Sequence, residues 1–163
     1  MIRKPRKILF VDDSPHRWEH FNAMFNTPEN GHVLLLWAKN YDEAVAALRK
    51  HSFAVVFLDH DLEDPGDWDA KVGWRDGTAI VDWIREHTPD IGFTVCHSMN
   101  PVGRQRMCMT LGNGGYAARP VPFYAFDSMV ETLNDLIAHG QTHEMDKTRV
   151  ESDDSEDRIN YGG

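Results

Sequence analysis

ILFVDDSP, residues 8–15, decides the fold. Four apolar residues end abruptly on two aspartates, and Ser14-Pro15 then opens a helix, with serine as N-cap and proline at its first position. A strand apolar on every residue fits a parallel sheet covered on both faces. A helix starting within three residues of its end makes the pair a βα unit.

The same unit recurs outward from this stretch. The run Lys7–Val11 is the first strand, and its helix carries Trp18, Phe21 and Phe25 at helical spacing until Pro28 and Gly31 break it. Residues 33–38 read as a second strand and 40–50 as a second helix, with Ala44 and Leu48 on one face. FAVVFL, residues 53–58, is a third apolar strand. A long loop from Leu62 to about Asp76 precedes a third helix over 78–87. A fourth strand is expected over 93–96, a short helix over 101–111, a weak fifth strand over 116–118 and a last helix over 126–138. Five such units predict an α/β protein with a parallel sheet and helices on both faces.

Composition sets the bounds. The 163 residues suffice for one domain, with 41% hydrophobic and 26% charged residues, ordinary for a globular chain. We expect a domain over 1–140 and an acidic, loosely held tail over 141–163, where seven acids face three bases. The net charge of −9 argues against a basic nucleic-acid binder, and no DNA-binding motif is present. No apolar run approaches the roughly 18 residues of a membrane span, and the basic N-terminus passes straight into a strand without a signal-peptide pattern. The expected compartment is the cytoplasm, with no membrane association. Cys96 and Cys108 form no CxxC and are expected to be reduced and structural.

Polar residues concentrate where strands end. Asp12-Asp13, Asp59-His60-Asp61 and His97-Ser98-Met99-Asn100 follow the first, third and fourth strands. In open parallel sheets, ligands bind beyond the carboxyl ends of the strands, so the three clusters should converge in one crevice.

ILFVDDSP, FLDHDL at 57–62 and ARP at 118–120 resemble a response-regulator receiver domain over roughly residues 5–139. The resemblance implies a flavodoxin-like three-layer fold with strand order 2-1-3-4-5. It also implies an acidic pair at Asp12 and Asp13, a phosphoacceptor at Asp59 and a metal-ligating carbonyl at Asp61. The chain departs from that pattern in placing His97 at the hydroxyl position, with Ser98 adjacent, and Arg119 where a lysine is usual. The loop after the third strand is also longer than usual by roughly ten residues. These departures, together with LDHDL and HSMNPVG at 97–103, resemble the cyclic-phosphate-processing receiver domains, a divergent branch. That branch implies a phosphoesterase acting on cyclic phosphates in RNA repair or nucleotide signalling.

The residue types agree with such chemistry. Asp12, Asp13 and Asp59 in one pocket would repel one another unless a divalent cation, Mg²⁺ or Mn²⁺, were bound. Nearby histidine would favour Mn²⁺. His97 is the leading candidate for a proton donor, and His60 the second. His60 has an even chance of pointing away, because alternate residues of a strand face opposite sides. Asp61 would orient a histidine or cap the loop. Asn100 reads as the N-cap of the fourth helix and as a phosphate ligand, with Ser98 beside it. Arg119 offers a fork for phosphate or is a plain surface arginine. Trp68, Asp69, Trp74 and Arg75 form a candidate lid, with the tryptophans stacking on a base or packing the loop. His16, His20, His139 and His143 have no metal-ligand spacing. The expected function is metal-dependent hydrolysis of a cyclic phosphate on an RNA end or nucleotide. Its competitors are a receiver phosphorylated on Asp59 and a degenerate receiver that only binds a nucleotide or protein.

Overall fold

Short apolar runs set the sheet. The computed structural model describes residues 4–62, 68–69 and 73–140. The strands of the main sheet are β1 (Arg6–Val11), β2 (Val33–Ala38), β3 (Phe53–Leu58), β4 (Ile91–Cys96) and β5 (Ala118–Pro120). All pairings are parallel and the order is β2-β1-β3-β4-β5. The helices are α1 (Pro15–Phe25), α2 (Tyr41–Lys50), α3 (Gly77–His87), α4 (Pro101–Asn113) and α5 (Val130–His139). Trp68–Asp69 and Gly73–Trp74 form a two-residue antiparallel pair outside this sheet. The side chains of the candidate lid at 68–74, and the expected tail over 141–163, lie outside the described residues. Among those described, no helix is long and apolar enough to cross a membrane.

Strand alternation divides the core in two. Ile8, Phe10, Val55 and Phe57 face α1 and α5, where they meet Phe21, Phe25, Leu133, Leu136 and Ile137. Leu9, Val11, Val56 and Leu58 face α2, α3 and α4, where they meet Ala44, Leu48, Ile80, Ile84, Met107 and Leu111. Helices on both faces are what continuously apolar strands require. Cys96 and Cys108 are free, and hydrogen bonding to Cys108, with burial, pushes the Cys96 thiol up.

The caps are the ones the residue types favour. Ser14 accepts from the Arg17 amide, Asn40 from Glu43, Asp76 from Thr78 and Ala79, and Asn100 from Gly103. The C-terminal third differs from the expected boundaries. The fifth strand lies at 118–120, on the sheet edge, where Pro120 is tolerated because no further strand needs its N–H. The last helix starts at Val130, after two 3₁₀ turns at Phe123–Ala125 and Asp127–Met129. Three residues per turn align Phe123, Phe126 and Met129, and all three pack on the α1/α5 cluster.

Candidate functional site

The parallel ladder carries on one residue beyond each strand, and this brings the site together. The Asp12 amide donates to Ala38 O (3.1 Å), Asp59 N–H to Val11 O (3.0 Å) and His97 N–H to Leu58 O (3.0 Å). The three exit residues are therefore pinned side by side, all pointing to the α1/α5 side. Asp12, Asp59 and His97 are buried, and one ligand-type atom from each lies within 4.8 Å of the others.

Asp12 is the hub. Its Oδ1 accepts from the Ser14 amide at 2.9 Å and from Arg17 Nη2 at 2.9 Å. Its Oδ2 accepts from Arg17 Nε at 2.7 Å and faces His97 Nε2 at 2.9 Å. Burial alone would raise the Asp12 carboxyl, but the hydrogen bonds from His97 and Arg17 outweigh it and hold the group below its ordinary value. His97 is sealed in: Phe10 stacks on its ring at 4.8 Å, Phe123 and Phe126 surround it, and its buried Nδ1 has no hydrogen-bond partner among the described residues.

Arg17, in the first turn of α1, is the residue of this cluster that the sequence reading missed. Its Nη2 also lies 3.4 Å from Asp59 Oδ2 and 3.6 Å from Asp13 Oδ1. The carboxylates draw its pKa upward, so it stays charged. The available signal was its spacing, four residues after Asp13, which is one helical turn. Its reach to Asp59 had no sequence signature.

Beside this cluster opens a pocket of about 250 Å³ lined by Asp13, Arg17, Asp59, Asp61 and Met99. Asp59 is poorly compensated there. Burial pushes its carboxyl up from 3.8 to about 6, against the pull of His97 and Arg17. Asp13, Asp59 and Asp61 put oxygen donors, the type that suits Mg²⁺ or Mn²⁺, on the pocket wall; of the three, only Asp59 also belongs to the tight cluster with Asp12 and His97, and its under-neutralised carboxyl fits a bound cation. Asp12 fits less well, since each of its oxygens already takes two hydrogen-bond partners.

The remaining candidates separate by strand alternation. His60 follows Asp59 and turns to the opposite face, where its ring packs on Gly103 at the start of α4. A Cβ there would come within 2.7 Å of the ring. Its Nδ1 lies 2.8 Å from Asp61 Oδ1, so the pair couples a half-buried ring to the pocket wall. Ser98 Oγ accepts from the Asn100 amide at 3.1 Å, and Asn100 Oδ1 from the Gly103 amide at 3.1 Å. Both oxygens therefore shape the turn into α4. Arg119 is half-buried on β5, where burial lowers its pKa. Its guanidinium makes no hydrogen bond or ion pair among the described residues and is not on the pocket wall. Arg75 is held by Asp42 and stacks over Tyr41 at 4.3 Å.

The chain's fold is that of solved receiver domains. The response regulator TrrA of Thermotoga maritima, crystallised with Mg²⁺-BeF, is 21% identical, with 80% of this chain and 98% of that one covered at a TM-score of 0.58. The non-phosphorylated receiver domain of the stress regulator RcsB from Escherichia coli is 17% identical, with 85% and 96% covered at 0.59. The phosphorylated cyanobacterial phytochrome response regulator RcpA is 13% identical, with 85% and 97% covered at 0.58. No curated protein matches the chain. The model of the cyclic-phosphate processing receiver domain matches residues 7–113, more than half of the chain, over the strands and helices that carry Asp12, Arg17, Asp59 and His97. The chain belongs to that receiver-domain family.

Proposed function

We propose that this chain is a divalent-cation-dependent phosphoesterase that opens a cyclic phosphate on an RNA end or a nucleotide. The observation that carries this reading is the pocket wall formed by Asp13, Asp59 and Asp61. It is an oxygen-rich site around one carboxyl whose pKa, pushed up to about 6, leaves it short of positive charge. Asp13 and Asp59, with Asp61, would hold Mg²⁺ or Mn²⁺, and such a cation supplies an acidified water and charge neutralisation at phosphate. Opening the ring would form a P–O bond to the water oxygen, whose proton passes to a pocket carboxylate, and break the P–O bond to one ribose oxygen, which takes up a proton. Asp61 and His60 form a hydrogen-bonded couple at the pocket wall that can deliver it. His97 is sealed from the pocket and acts through Asp12.

The test is turnover. Purified protein with Mn²⁺ or Mg²⁺ should open 2′,3′-cyclic nucleotides or RNA carrying a 2′,3′-cyclic phosphate end, as read by chromatography. Chelation, Asp59→Asn and His60→Gln should each remove most of the activity. Absence of turnover on every cyclic phosphate offered would sink the reading.

A second reading, phosphorylation of Asp59, is favoured by the receiver fold and by the position of Asp59 on the pocket wall. Against it stand His97 at the hydroxyl position and an arginine on β5 that does not reach the pocket. Acetyl phosphate with Mg²⁺, followed by intact mass, should leave no stable adduct. A stoichiometric adduct would install the signalling reading instead.

A further inference from the structure

We propose that Arg17 is the oxyanion-binding residue of the pocket and that His97, acting through Asp12, is the positioning residue that holds its guanidinium. The proposal rests on the phosphate-handling reading for the class of ligand only.

The geometry is a relay of fixed parts. Arg17 is gripped by Asp12 at two points, Nε to Oδ2 at 2.7 Å and Nη2 to Oδ1 at 2.9 Å. Its contacts with Asp59 and Asp13 are longer, 3.4 and 3.6 Å, and use the same Nη2. The Nη1 group donates no hydrogen bond among the described residues. The side chain is 32% exposed and lines the pocket, which leaves its Nη1 available to a ligand. Asp12 cannot swing away, because it is wholly buried and the Ser14 amide and His97 occupy its other lone pairs. His97 cannot swing either, with Phe10 stacked on its ring and Phe126 edge-on to it. A guanidinium anchored along one edge presents the other at a set position, and this is how arginine binds phosphate oxygens with little ordering cost. Arg119 lacks every element of this: no anchor among the described residues and no place on the pocket wall.

The local charge adds a condition. Asp12, Asp13 and Asp59 together outweigh Arg17, so an anion meets net negative charge unless a cation is present. Phosphate should therefore bind only in the presence of the metal.

The experiment is calorimetric titration of the full chain with inorganic phosphate, with and without Mg²⁺. Wild type should bind phosphate when Mg²⁺ is present. Arg17→Gln should weaken that binding by about tenfold to a hundredfold, the loss expected for a charge-assisted hydrogen-bond pair. It should not weaken Mg²⁺ binding measured alone, because it removes a competing cation. Methylguanidinium should restore phosphate binding to Arg17→Ala, a rescue that a structural role would not give. His97→Leu, which cannot donate to Asp12, should lose several-fold in phosphate affinity, while His97→Gln, which can, should keep most of it. Several results would overturn the proposal: phosphate binding by Arg17→Gln equal to wild type, no phosphate binding by wild type with Mg²⁺, or a loss confined to Arg119→Gln. Arg17-dependent phosphate binding without any cyclic-phosphate turnover would instead remove the hydrolase reading and leave this one standing.

Discussion

Asp59→Asn should make the cation-free protein more stable, although it removes a central residue of the site. The carboxyl is 4% exposed and its pKa is raised from 3.8 to about 6 by burial, with Asp12 adding repulsion. A group whose folded pKa is raised favours folding in its protonated form. That contribution is fully present below the unfolded value near 4 and is lost as the pH rises through about 6. The displacement corresponds to about 3 kcal/mol of strain carried by the charged form at pH 7.5. Asparagine keeps the shape and accepts from Arg17 but carries no charge. Allowing for burial of the amide, the variant should gain about 2 kcal/mol at pH 7.5, or several degrees in Tm. Denaturant unfolding in a chelator at intervals from pH 4.5 to 7.5 reads this directly. The two proteins should coincide near pH 4.5, diverge between pH 4.5 and 6.5, and stay apart above it. Saturating Mg²⁺ should then narrow the gap, because the ion stabilises only the wild-type carboxylate. A variant less stable than wild type at pH 7.5, or a difference constant with pH, would refute the claim that Asp59 is an under-compensated buried charge.

Two further outcomes follow from the packing. Gly77→Ala would set a Cβ 2.2 Å from the Asp59 carbonyl oxygen and 2.7 Å from the His60 Cα, both backbone atoms that cannot give way. It should cost about 3 kcal/mol or more in denaturant unfolding, and a change under 1 kcal/mol would show that α3 does not seat on the β3 exit this way. The Asp12 carboxyl, held below its ordinary value, has the opposite sign to Asp59. Its stabilisation is present above its unfolded pKa near 4 and is lost as the pH falls through the folded one. His97→Leu removes one of the groups that hold it down, so the acid limb of thermal unfolding should move to higher pH. An unmoved acid limb would mean that His97 does not stabilise the Asp12 carboxylate.

Much of the fold was legible because its signals are local. The apolar runs at 8–11 and 53–58, the caps Ser14 and Asn100, and the punctuation at Pro28 and Gly31 each act within a few residues, and each stands where the sequence placed it. The boundaries failed where a non-local contact competed. Residues 126–129 have helical character, yet burying Phe123, Phe126 and Met129 on one aromatic cluster winds them into 3₁₀ turns. The convergence of Asp12, Asp59 and His97 was legible through topology, since residues just past adjacent parallel strands must be neighbours.

The side-chain wiring within that crevice was decided by the tertiary structure. Strand alternation already separates His60 from Asp59, and the sequence alone gave it an even chance of facing away; packing on Gly103 settles the side and leaves Asp61 as its link to the pocket. The sequence supplied an arginine at position 119 for phosphate, but on its short edge strand the side chain finds no partner among the described residues to aim it. Arg17 reads in the sequence as one polar residue on an amphipathic helix. It becomes the charge of the pocket because α1 lies across the exits of β1 and β3 and brings it within 3.4 Å of a carboxylate 42 residues away. Hydrophobic periodicity is a property of neighbours along the chain and can be read there. The pairing of a buried charge depends on which distant group the closed core leaves within reach, and only the folded chain determines that.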